Sequence, residues 1–496
     1  MTQVTINGNT YSDAGESAKD MRSGGHRAYL LPLLGDTMAV VGQAAINTAS
    51  AQAAAIQAQA AQALAQAAQA GIIAVSLNVP TGLPACRPAL LLNFAKTRRL
   101  DPRMTFSRAS SALFTDANGF LATAAANAAR FDHDSITGEC LGLLIEEQRA
   151  NLLLYSDQFN NAAWLMDNVS TPSVAAISPD GTLNAYKLAE NTAVAPHSLY
   201  QAAGMGQAGA VATASIYVKA AERTKFRLYF DAIGGGQVLG GVVDLSAGTV
   251  AAGSAASGGV LLKQSVTALK NGWFRVTVTG YIAGKSTYFT HAQCIDPSGA
   301  GAYEGSFGSG LYIFKAQIEL GEFATSQIAT TSAAVTRPVD YAAMTGTGFS
   351  SWFQPEEGTF ILGYGAAMSA SSMLDSQSLM VSDGSGNNAY VLRFYSFNNV
   401  NTFDAIVVSG GAGQMDSEGL ALAASASAAV QAFGYKVNNI ASVINGGAVA
   451  VDTVNALPVG VDWLRLGGGG MVQTIAYLAY YRKRLANSEL QIMSNL

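Results

Sequence analysis

Between Ala214 and Leu320 six short runs, "ASIYVKA", "KFRLYF", "VLGGVVDL", "WFRVTVTGY", "YFTHAQCI" and "LYIFKAQIEL", alternate apolar and polar residues. Successive side chains on a strand point to opposite faces, so each run offers one face to a core and one to water. Links rich in Gly, Ser and Asn join them. This pattern predicts an antiparallel sandwich of the jelly-roll kind over residues 150–340. It resumes over 341–496 with "GTFILGYG", "YVLRFYSF", "QAFGYKV", "IASVING" and "TIAYLAYYRKRL", which predicts a second antiparallel sandwich. The Asn-Gly pair in "VINGG" (443–447) marks a hairpin. "NSEL" opens a short terminal helix, with Asn487 or Ser488 as its N-cap.

Composition agrees with a mainly β chain. Charged residues are only 12% of the 496, about half the usual ~25%, so Ser, Thr, Asn, Gln and Gly must carry the surface. The 52 Gly, 19 Tyr and 20 Phe favour strands and turns. Net charge is −5 and the pI is near 5.5. Without a Lys/Arg cluster there is no phosphate footprint, which argues against nucleic acid as a partner. Cys86, Cys140 and Cys294 are odd in number and widely spaced, so they read as small core residues. "MTQVTINGNTYSD" lacks the basic and apolar regions of a signal peptide. The apolar stretch Leu30–Val41 is broken by Pro32 and Asp36 and is too short for a bilayer. The expectation is a protein made in the cytoplasm, with no membrane insertion, that leaves by lysis or inside an assembly.

Residues 1–42 alternate weakly at Val4 and Ile6 and end in "HRAYLLPLLGDTMAVVG". They read as a plug that docks onto something else. Residues 43–72 are an Ala/Gln tract with no Gly or Pro before Gly71. Ala and Gln favour helix, and 43–70 would extend roughly 42 Å. Ile46, Ala49, Ala53, Ile56, Ala60, Ala63, Ala67 and Ala70 form one seam at coiled-coil spacing. So thin a stripe buries little on its own, which predicts a bundle of identical chains, a homotrimer by preference. Residues 73–149 read as a β-rich connector, with short apolar runs cut by Pro80, Pro84, Pro88 and Pro102. "DANG" (116–119) turns between "SALFT" and "FLATA".

The connector ends in "GLLIEEQRANLLLYS", two short strands around a charged knot in which Arg149 can pair with Glu146 or Glu147. Neighbouring strand residues face opposite ways, so these two carboxylates cannot flank one bond. The stretch reads as a rigid joint. Three cassettes, "LDPRMTFSRASSALFTDANG", "RFDHDSITGECLGLLIEEQRANLLLYSDQFNNAAW" and "TRPVDYAAM…FSSWFQPEEGTF", resemble those of tailed-phage fibre proteins of the head-spike and tail-fibre type. They cover roughly 97–165 and 330–360. The resemblance implies a carbohydrate-binding-like jelly roll at 150–340, a laminin-G or concanavalin-like sandwich at 341–496, and a virion-attachment segment at 1–42. It implies a structural virion component that meets other virion proteins at one end and host-surface polysaccharide at the other. It supplies no catalytic residues.

The search for chemistry gives no catalytic constellation and calls for no cofactor or metal. There is no G-x-S-x-G and no H-E-x-x-H, and His26, His133, His197 and His291 are scattered. "GYIAGKS" (280–286) is one residue short of a P-loop and reads as a hairpin. In "DHDSITGE" (132–139) Ile136 sits where a calcium loop needs oxygen, so this too reads as a turn. No paired-carboxylate run of a glycosidase is visible. Glycan binding needs aromatic rings with polar neighbours. The candidates are His197, Tyr200, Tyr229, Tyr288 and His291. Trp164, Trp273, Trp352 and Trp463 read as anchors of cores or domain contacts. The expected function is a fibre that displays glycan-binding sandwiches without cleaving sugar. The alternatives are a decoration protein with no glycan affinity and a polysaccharide depolymerase.

Overall fold

A computed structural model describes residues 3–6, 8–12, 34–44, 47–48, 51, 84–370, 376–397, 400–417, 420–421 and 428–495. The chain divides into two units, 1–81 and 82–496. In the first, Gln3–Ile6 pairs with Asn9–Ser12 in a hairpin that turns at Gly8 (φ 77°). Residues 34–44 are helical, and the Asn9 side chain donates to the Asp36 carboxylate (2.7 Å). The seam residues Ile46, Ala49, Ala53, Ile56, Ala60, Ala63 and Ala67 all lie outside the described residues.

The second unit is mainly antiparallel β-sheet and holds two sandwiches. One sheet of the first runs in the order Leu165–Asp167, His197–Gly204, Thr287–Ile295, Lys225–Asp231, Gln237–Leu239, Ser254–Ala256. The facing sheet runs Ser173–Ile177, Leu183–Ala189, Gly310–Leu320, Ala212–Ala220, Trp273–Ile282, Gly259–Ala268. Alternate residues such as Phe226, Leu228 and Phe230 point inward and pack with Val276, Val278, Ile313 and Ile318. Five of the six alternating runs each form one strand. "VLGGVVDL" splits in two at Gly240 and Gly241, and a Cβ at Gly241 would lie 1.8 Å from the Ala251 carbonyl oxygen. "GYIAGKS" is not a hairpin. Its flanking strands lie in opposite sheets, and both edges of Trp273–Ile282 are already taken by Ala212–Ala220 and Gly259–Ala268. The turn at Ile282–Lys285 is therefore a corner between sheets.

The second sandwich recruits strands from far upstream. In one sheet Glu357–Ala370 and Met471–Tyr481 are central, and Leu90–Asn93, Cys140–Glu146 and Arg130–His133 complete it. In the other, Met104–Ser107 pairs with Tyr341–Thr345. Leu90, Leu92, Phe94, Met104, Leu143 and Ile145 share one core with Phe360, Leu464 and Tyr480. The stretch read as a separate connector, 73–149, thus differs from expectation from Leu90 onward, since its strands bury their apolar faces in the C-terminal sandwich. The first sandwich is an insertion whose two ends meet where Arg149–Asn151 pairs with Val335–Arg337.

Smaller expectations divide similarly. "DANG" does turn the hairpin Ala112–Thr115 with Leu121–Ala124, with Gly119 at φ 78°. "VING" gives a tight turn with Asn445 and Gly446 both at positive φ. Cys140 and Cys294 are buried, but Cys86 is exposed. The terminal helix Asn487–Met493 is capped at Ala486, whose amide donates to Glu489 (2.7 Å). Asn487 instead accepts from Arg484 (2.6 Å), which removes it from the cap. Trp164, Trp273 and Trp352 are buried anchors, as read from the sequence.

Candidate functional site

The inward set Phe226, Leu228 and Phe230 forces Arg227, Tyr229 and Asp231 onto the outer face of their sheet. Strand pairing then aligns three of the candidate residues across three neighbouring strands. Tyr200 lies opposite His291, and His291 lies opposite Tyr229. The rings stack, with centroids 4.6 Å apart at 14° and 4.4 Å apart at 6°. Leu165 continues the row beyond Tyr200, and Leu239 beyond Tyr229. The flanking outward rows hold Asp167, Ser198, Gln293 and Arg227 on one side, and Ala202, Phe289, Asp231 and Gln237 on the other.

The geometry alters what the row can do. Its rings spend their faces on one another, His291 is buried between them and only Tyr200 and Tyr229 are partly exposed, so the row offers tyrosine edges and hydroxyls and is not a flat platform. His291 Nε2 lies 3.4 Å from Asp231 Oδ1, while the buried Nδ1 has no partner. Burial first, and the nearby Asp231 and Asp167 second, push the Tyr229 phenol above its ordinary range. Burial and the same two carboxylates raise Tyr200. Both phenols are protonated at neutral pH, as an ordinary tyrosine with a pKa of about 10 already is, and can donate. Gln293 Nε2 donates to the Gly301 carbonyl (2.8 Å), which fixes the amide at the rim. Such a strip combines donors, acceptors and apolar edges, the mixture that sugar hydroxyls and C–H groups require.

Two of the five candidates are placed elsewhere. His197 is fully buried, with Nδ1 2.8 Å from the Asn168 carbonyl and Nε2 3.3 Å from that of Tyr303. Tyr288 is also fully buried. Its hydroxyl donates to the Ala210 carbonyl (2.8 Å) and accepts from the Ile282 amide (3.0 Å). Both lie on the inward parity of their strands, so neither presents a ring outward. Arg227, Gln293, Asp231 and Asp167 were missed as rim residues. The parity of their strands held the signal for Arg227 and Asp231, but the row needed the cross-strand register.

The charged knot at the joint holds the insertion. Arg130 reaches Glu146 (2.7 Å) and Asp340 (2.5 Å), Arg108 reaches Asp340 (3.1 Å), and Arg337 reaches Glu146 (3.5 Å). The Ser326 amide and hydroxyl donate to the two Glu146 oxygens (2.6 and 2.5 Å). Arg149 pairs with Glu147, whose other oxygen accepts the Gly470 amide (2.6 Å). Glu146 and Glu147 thus serve separate networks. Among the described residues no group of three or more His, Cys, Asp or Glu is placed to hold a metal ion. No helix among them is long and apolar enough to cross a membrane.

No family model matches the chain, and no curated protein matches it. Among solved structures, the CBM40 of the Ruminococcus gnavus IT-sialidase bound to α2,6-sialyllactose is similar at 16% identity and a TM-score of 0.25. The match covers 30% of this chain and 87% of that one. Domains LG4-5 of the mouse laminin α1 chain match at 11% identity and a TM-score of 0.19, covering 63% and 92%. The Trypanosoma rangeli sialidase in complex with 2,3-difluorosialic acid matches at 9% and 0.22, covering 65% and 62%. Likenesses this slight transfer no residue roles.

Proposed function

We propose that this protein is a structural fibre subunit of a phage virion, in tail or head, that grips host-surface polysaccharide without cleaving it. The observation that carries the glycan reading is the outward Tyr200–His291–Tyr229 row with its polar rim. The virion reading rests on the resemblance of the three cassettes to phage fibre proteins. In this reading residues 1–42 dock on other virion proteins and 43–72 bundle copies of the chain as a homotrimer. Bundling would let weak sites act together through avidity. The row offers hydrogen bonds at its tips and no paired acid and base across a gap, which favours binding over turnover.

The test titrates the full chain with host capsule or lipopolysaccharide oligosaccharides and assays the mixture for new reducing ends. Binding without cleavage is expected. Tyr200→Ala and Tyr229→Ala should each weaken it roughly tenfold, equivalent to about 1.4 kcal/mol. Unchanged affinity in both variants, or release of reducing ends by the purified protein, would refute the reading. Labelled antibody seen on particles by electron microscopy tests the virion assignment separately.

A further inference from the structure

A cavity of about 290 Å³ lies where the insertion meets the C-terminal sandwich. Tyr217, Arg275 and Gln327 approach it from the insertion, and Phe114, Leu121 and Asp132 from the other side. Phe114, Asp132 and Arg275 are half-buried, so the cavity communicates with solvent.

Its polar groups are incompletely used. Gln327 is 2% exposed, yet neither its amide oxygen nor its amide nitrogen has a hydrogen-bond partner. A buried amide left this way costs about 1–3 kcal/mol per unpaired group, so it calls for a partner. Gln327 also borders a neighbouring cavity of about 220 Å³. Arg275 spends Nη2 on Ser215 (3.1 Å) and the Thr325 carbonyl (2.5 Å), while its buried Nε has no partner. One Asp132 oxygen accepts the Thr115 amide (2.7 Å). Glu146 also borders the cavity, but Arg130 and Arg337 offset its charge.

Besides Glu146, which Arg130 and Arg337 match, the lining holds one cationic and one anionic side chain, Arg275 and Asp132. What is left is a neutral set of donors and acceptors on one side and a wall of Phe114, Leu121 and Leu144 on the other. A lone anion or cation would meet a lining charge of its own sign as well as one of the opposite sign. A pyranose fits this division, with hydroxyls that donate and accept and a C–H face for the apolar wall. We infer that the seam cavity is a second saccharide subsite, which holds one neutral sugar ring through Gln327, Arg275 and Asp132. It rests on the glycan reading only for its choice of sugar, because none of its residues belongs to the aromatic row.

The experiment uses the full chain and the methyl glycosides of glucose, galactose and N-acetylglucosamine. Saturation-transfer NMR and calorimetric titration compare wild type with Gln327→Met, Asp132→Asn and Tyr229→Ala. At least one glycoside should bind. Gln327→Met and Asp132→Asn should each weaken that binding roughly tenfold. Tyr229→Ala, which removes a ring of the outer row, should weaken it less than either seam variant does. Glycoside binding lost in Tyr229→Ala but intact in both seam variants would overturn the seam site and leave the outer row standing. Binding retained in all variants, or no glycoside binding to wild type, would overturn it too. If Gln327→Met fails to fold in a thermal melt, Leu121→Phe, which fills the cavity from its apolar wall, replaces it with the same expected loss.

Discussion

Glu146 shows how one residue can join two bodies. It ends the strand Cys140–Glu146 of the C-terminal sandwich and accepts two hydrogen bonds from Ser326, close to where the insertion ends. Burial alone would raise its carboxyl. The guanidinium groups of Arg337 and Arg130, with Ser326, outweigh burial and hold it down at about 2. A carboxyl held below its unfolded value adds stability above the unfolded pKa, and that stability is lost as the pH falls through the folded pKa. The contribution should therefore be complete above about pH 4.3 and fade towards pH 2. Glu146→Gln leaves Arg130 and Arg337 short of a counter-charge, which should cost about 3–5 kcal/mol at neutral pH. Urea unfolding at pH 7 and pH 3 checks this. A variant that unfolds at the wild-type midpoint at pH 7 would show that the knot contributes nothing.

At the level of elements, the strand Cys140–Glu146 is the clasp between upstream and downstream chain. It pairs with Met471–Tyr481 on one edge and Arg130–His133 on the other. Gly142 makes this possible. Its φ is +118°, and a Cβ there would lie 2.1 Å from the Ile475 carbonyl oxygen. The strand thus approaches its partner closely in a conformation that only glycine adopts easily. Gly142→Ala should destabilise the C-terminal sandwich by at least about 2 kcal/mol, from backbone strain and displaced pairing. Denaturant melts give the value. Hydrogen exchange should show the loss concentrated at Met471–Tyr481, and a uniform loss would mean that the glycine acts elsewhere.

Over the whole second unit, chain order and domain order part company. Asn151 and Val335 are direct partners, so the insertion leaves and re-enters through one narrow neck. The C-terminal sandwich is closed by Leu90–Asn93, Met104–Ser107, Arg130–His133 and Cys140–Glu146. A fragment of residues 341–496 would lack all four strands and expose the core faces of Phe360, Leu478 and Tyr480. It should aggregate or remain unfolded, whereas 84–496 should melt cooperatively. Circular dichroism and size-exclusion chromatography decide between them. A folded, monomeric 341–496 would show that the upstream strands are dispensable.

Local pattern settled much of this protein. Period-two alternation marked five of the six runs in the first sandwich as single strands, but which face of Lys225–Asp231 turned outward came from the packing of Phe226, Leu228 and Phe230. Positive-φ residues placed the turns at "DANG" and "VING". Neighbour geometry separated Glu146 from Glu147. Partner choice was not legible, because one strand's alternation says which face is buried and not against what. Only the tertiary structure brought Leu90 to Tyr480 and set Tyr200, His291 and Tyr229 in one register. It also turned His197 and Tyr288 into core residues and formed a cavity beside Gln327. Periodicity is a property of the backbone over a few residues. Register and burial depend on contacts between residues far apart in the chain, and these exist only once the sheets have assembled.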